Sequence, residues 1–132
     1  MIEALVLAAQ LAGVSPMPMP PQDWSSLRPL PYSRDPDEGT TLSSFVRAEV
    51  KAGHCAAATS TPQGWMLKID LAVLVGPGGQ PKRVVPRAIA CPSVEQYAAG
   101  LVSSMARGNI APAAIAEGDA WYRTSLTFSW PA

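Results

Sequence analysis

Along residues 65–75 two sets of side chains alternate. Trp65, Leu67, Ile69, Leu71, Val73 and Val75 hold one parity, and Met66, Lys68, Asp70, Ala72 and Leu74 hold the other. Successive side chains of a strand point to opposite faces, so this stretch predicts a strand with one well-defined apolar face. Gly76-Pro77-Gly78-Gly79 follows and predicts a turn. Residues 81–89 then predict a second strand, and the short connection makes the pair a hairpin. Pro86 has no N–H to give a ladder, so this strand either lies at an edge or ends early. The alternation returns over 121–130, with Tyr122, Thr124, Leu126, Phe128 and Trp130 on one face and Arg123, Ser125, Thr127 and Ser129 on the other.

Two segments carry the helical period instead. Residues 40–53 open with the candidate caps Thr41 and Ser43 and place Phe45, Val46 and Val50 on one stripe, flanked by Ala48 and Ala52. Lys51 stands near the negative C-terminal end, and Gly53 is suited to the left-handed closing position. In residues 93–107, Val94, Tyr97, Ala98, Leu101, Val102 and Met105 repeat at the helical spacing, behind a Ser93…Gln96 capping pair and ahead of Gly108. Ala56–Gln63 and residues 109–119 read as loops. The order helix, strand, turn, strand, helix, strand predicts an α+β domain, a small three-stranded antiparallel sheet with two helices against it.

Composition changes the picture mainly at the front. The chain has 132 residues and formal net charge zero. Residues 1–39 carry Arg28 and Arg34 against Glu3, Asp23, Asp35, Asp37 and Glu38, a net −3, which leaves +3 for the remainder. Seven of the fourteen prolines also fall in residues 1–39. The apolar run of residues 4–11 is too short to cross a bilayer, which takes about 20 residues, and matches the length of a secretory signal. It is an atypical signal, with no basic residue before the run and with Glu3 in its place. The expected organisation is therefore a signal peptide over 1–15, a proline-rich extended segment over 16–40 and an α+β domain over 41–132. Trp24, Leu27, Leu30 and Tyr32 are too apolar for a solvated tether, so the extended segment is expected to dock on the body. The balance of charge excludes a dedicated nucleic-acid binder, which needs a basic surplus, and no transmembrane segment is present in the pattern.

Two cysteines, Cys55 and Cys91, and a single histidine, His54, do not complete a four-ligand zinc site. A Cys55–Cys91 disulfide in an oxidising compartment, periplasmic or secreted, is the simpler expectation; two free thiols are the alternative. Nucleotide, hydrolase and metalloprotease motifs are absent, and the glycine-rich turn stands between strands rather than before a helix. No enzymatic activity, cofactor or metal is expected. Lys82, Arg83 and Arg87 form a local basic cluster on the second strand. It serves either to protect a sheet edge or to bind a partner.

With these elements placed, residues 64–130 resemble the TonB C-terminal domain family. Leu67 to Val75 with the Gly76–Gly79 turn and Pro81 to Val85 resembles the family's first hairpin. Tyr97-Ala98-Ala99-Gly100-Leu101-Val102 followed by Ile110-Ala111-Pro112-Ala113 resembles its helix and exit, and Leu126-Thr127-Phe128 its closing strand. Gly108 and Ile110 depart from the family, which has a tryptophan and a second aromatic there. The resemblance implies an exported domain that binds a peptide of an envelope or outer-membrane protein by strand addition. The expected edge is the last strand, through Tyr122, Thr124, Leu126, Phe128 and Trp130. A structural, self-associating domain that pairs with a second copy through the same edge, with no role in energy transduction, is the alternative.

Overall fold

The computed structural model describes residues 18–36 and 40–132. The expected signal peptide and the Thr41 side chain lie outside the described residues. The chain runs through β1 (Arg28–Pro29), α1 (Ser44–Lys51), β2 (Thr59–Thr61), β3 (Gly64–Val75), β4 (Pro81–Pro86), α2 (Pro92–Ala106) and β5 (Ala120–Trp130). Short 3-10 turns precede β1, α1 and β5.

Among the described residues the class is α+β with two helices, but the sheet has five strands, not three. β3 is its spine. β5 pairs with it antiparallel over the full length, from Trp65↔Trp130 to Val75↔Ala120. On the other side β4 pairs antiparallel with residues 71–75 of β3, and β2 with residues 64–66. The two unexpected strands are β1 and β2, and both are too short to show a period. Thr59–Thr61 sits in the stretch read as a loop, and it pairs because Pro62-Gln63 turns the chain straight back onto the start of β3. β1 is two residues of the proline-rich segment running parallel to Tyr122–Arg123, where an edge position tolerates Pro29.

The main core lies between one face of the sheet and the two helices. Leu67, Ile69, Leu71, Val73 and Val75 of β3 meet Tyr122, Leu126, Phe128 and Trp130 of β5 there. α2 covers them with Val94, Ala98, Val102 and Ala106, all at 0% exposure. Their four-residue spacing makes one stripe, and the small side chains let the helix come close. Fully burying one valine of this set stabilises the fold by about 1.5–3 kcal/mol.

α2 starts two residues earlier than a Ser93 cap predicts, with Cys91 at the cap position. Pro92 takes the first turn, where its missing N–H costs nothing. The carboxylate of Glu95 reaches back to accept from the N–H groups of Cys91 (2.9 Å) and Ile89 (3.1 Å). α1 contributes Val46, fully buried, and ends in Gly53 at φ +79°. Phe45, expected in its buried stripe, is 38% exposed and packs its ring 4.7 Å from that of Tyr97.

The opposite face of the sheet is covered at one end only. Ala72 and Leu74 have the parity read as polar, yet both are buried. Residues 18–30 lie against that end as a strap, in which Trp24 is buried. β4 stops at Pro86, as the missing N–H requires.

Candidate functional site

β5 presents its two sides differently. Tyr122, Leu126, Phe128 and Trp130 are buried beneath the helices, and Thr124 is half-buried on the same face. Their side chains belong to the core. The outward edge of β5 belongs to the odd-numbered residues: the Arg123 carbonyl accepts from Leu30 N–H at 2.8 Å, and the Ser129 N–H donates to Ser43 Oγ at 3.1 Å. Backbone groups alternate with period two along a strand, so Ser125 and Thr127 face that same edge between these two contacts. The edge is therefore taken at both ends by this chain's own residues. Ser43, expected as a helix cap, makes no capping bond to α1 and serves β5 instead.

The basic cluster on and after β4 is engaged within the chain. Arg83 donates to the Pro18 carbonyl at 2.7 Å, and the Arg87 guanidinium stacks 3.9 Å from the ring centre of Trp24. Lys82 pairs with Asp119 at 2.7 Å. Arg123 adds a bond to the Leu27 carbonyl at 2.8 Å. Three arginines thus fasten the strap to the sheet. A cation over an indole contributes about 0.5–2 kcal/mol, depending on its exposure.

Cys55 and Cys91 form a disulfide with their Cα atoms 5.1 Å apart. It joins the residues just after α1 to the start of α2, and it leaves Cys55 without a thiol for His54 to activate. His54 is exposed, with Nδ1 3.2 Å from Glu49 Oε2, and Ser93 Oγ donates to the same oxygen at 2.6 Å. The Ser93 hydroxyl, followed by His54, holds the Glu49 carboxyl below its ordinary value of 4.5. A carboxylate lowered on folding adds stability above its ordinary pKa, and that stability is lost as pH falls through the lowered value. A carbon-detected NMR titration is expected to place Glu49 below 4.5 and to find it raised toward that value in Ser93→Ala. An unmoved midpoint in the variant would remove the hydroxyl as the cause.

A cleft of about 770 Å³ lies at the end of the sheet where β3 begins and β5 ends. That is within the range of roughly 300–1,000 Å³ usual for ligand sites. One wall is the outer face of α1, where Ser44, Arg47, Ala48 and Lys51 recur at the spacing of one helical face. The opposite wall is Trp65, Met66, Trp130 and Pro131, and Thr61 and Gln63 close the side from the β2–β3 turn. Trp65 and Met66 are 39% and 37% exposed. Arg47 Nε is buried without a hydrogen-bond partner among the described residues, and neither Arg47 nor Lys51 has an ion-pair partner among them. Among the described residues no acidic side chain lines the cleft.

Of the residues expected to bind a partner, only Trp130 lines this cleft; the other named residues of β5 and the basic cluster do not. The signals that could have found it are the adjacent Trp65-Met66 at the start of a strand and Arg47 and Lys51 four apart on one helix face. Among the described residues no three His, Cys, Asp or Glu side chains converge as metal ligands would, and no helix is long and apolar enough to cross a membrane. The chain matches no protein-family model, no curated protein and no solved structure.

Proposed function

We propose that this chain is a disulfide-stapled binding module of an oxidising, periplasm-like compartment that takes an extended segment of an envelope protein into the α1–sheet cleft. The observation that carries the reading is the exposed Trp65–Met66 pair at the mouth of a cleft of this size. Aromatic residues, Met and Arg are the side chains enriched where proteins bind one another. The resemblance of residues 64–130 to the TonB C-terminal domain points to the same class of partner. Strand addition along β5 is confined to the two-residue interval at Ser125 and Thr127, so the cleft is the main docking place and that interval an accessory to it. The module is not an enzyme in this reading: its cysteines are bonded to each other and its histidine sits on the surface beside Glu49.

The test is a titration of the full chain with short synthetic peptides from envelope receptors, followed by amide chemical shifts. Shifts are expected in residues 43–51, 61–66 and 129–131. Saturating peptide that leaves all of them unmoved overturns the proposal. A second copy of the chain docking through Trp65 and Met66 is the competing reading, favoured by the same exposed pair, and predicts a sedimentation coefficient that rises with concentration.

A further inference from the structure

We infer that the cleft selects extended segments of the pattern acidic–apolar–acidic. This rests on the reading of the cleft as a peptide site and specifies what enters it. Arg47 and Lys51 are one turn apart on α1, a separation of about 6 Å along the helix axis. In an extended peptide, side chains two residues apart point the same way and lie about 6.6–6.8 Å from each other. An extended chain lying along α1 therefore brings two carboxylates, separated by one residue, opposite the two cations. The residue between them points the other way, toward Trp65, Met66 and Trp130.

Charge complementarity fixes the occupant. Among the described residues the two cations line the cleft with no acidic neighbour in its lining, and Arg47 keeps a buried donor unpaired. A buried donor left unsatisfied is costly, whereas its bond to a carboxylate is of the stronger, charge-assisted kind. A lone C-terminal carboxylate would meet one cation and leave the other. An apolar peptide without charge would fill the aromatic wall and leave both. Two alternate acidic side chains satisfy both cations in a single register.

The experiment uses the full, oxidised chain and three end-blocked peptides: Ser-Glu-Phe-Glu-Ser, its amide counterpart Ser-Gln-Phe-Gln-Ser, and Ser-Glu-Glu-Phe-Ser, in which the carboxylates point to opposite sides. The first is expected to bind about tenfold or more tightly than either of the others, as two charge-assisted contacts require. That gap is expected to narrow between about 0.05 M and about 0.5 M salt, because screening weakens the charged contacts and leaves the aromatic ones. In Arg47→Gln/Lys51→Gln the gap between the acidic peptide and its amide counterpart is expected to close. Where the double variant is unstable, Lys51→Gln alone, at an exposed position, is expected to close part of the gap. Equal binding of the first two peptides at low salt overturns the acidic selectivity and leaves the peptide site standing. Failure of all three to shift any cleft amide overturns both.

Discussion

Gly64→Ala is expected to destabilise the domain by about 2–6 kcal/mol and to distort the cleft. Gly64 opens β3 at φ +137°, a conformation that side-chain-bearing residues rarely adopt. Holding alanine there costs about 1–3 kcal/mol. The Cβ would also run into the Trp130 carbonyl oxygen and stand 2.9 Å from the Ala132 nitrogen and the Pro131 Cα. These are main-chain atoms at the end of β5, so relief requires the strand end to move, a strain of about 1–3 kcal/mol more. Trp130 and Pro131 form part of the cleft wall, so the damage falls on the binding surface as well as on stability. Thermal unfolding and peptide titration of the same sample check both effects. A loss below about 1 kcal/mol would mean that β5 yields easily there, against the close approach described.

Removing the Cys55–Cys91 bridge is the other large effect. The bridge closes a loop with a sequence separation of 36 residues. On the chain-entropy model its loss costs about 4 kcal/mol, a fall in Tm of roughly 15–30 °C for a domain of this size. Cys55→Ala/Cys91→Ala is the test, read by denaturant unfolding beside the wild-type chain with and without reductant. Outside the bridge, the two helices meet through the Ser93–Glu49 bond and the Phe45–Tyr97 contact, and both are weaker than a covalent tie. The α1 wall of the cleft is therefore expected to be the first part loosened. Equal stability with and without reductant, with free thiols found on alkylation, would overturn this.

The long elements were legible in the chain because each carries its own period. β3 and β5 alternate over eleven paired positions, α2 repeats at four, and Pro86 ends β4 where its chemistry requires. The disulfide was legible because two cysteines left few other arrangements. β1 and β2 were not: a two- or three-residue strand has no period, and each exists only because a long neighbour offers it an edge. Parity assigned Trp65 to the apolar face correctly. It could not say whether a helix reaches that far along the sheet, and at this end none covers it. Parity likewise called Ala72 and Leu74 outward, without knowing that Trp24 and its strap arrive from more than forty residues upstream. The resemblance put the expected partner edge on β5 but not which of its residues bond outward, since backbone direction appears only once the neighbouring strand is in place. The cleft escaped for a related reason: its walls come from three separate stretches, 43–51, 61–66 and 129–131, which meet only in the fold.

The strap also has a mechanical meaning. Its fastenings, Pro18 to Arg83, Trp24 to Arg87 and Leu27 to Arg123, lie in order along the chain. Tension applied ahead of Pro18 therefore loads them one after another rather than together. Thirteen residues, 18–30, pay out about 45 Å when drawn straight. β1 leaves the sheet edge with the strap, while β2 to β5 stay paired by their own ladders. The molecule can thus lengthen under a pull without surrendering its fold, as a reel does when line is drawn from it.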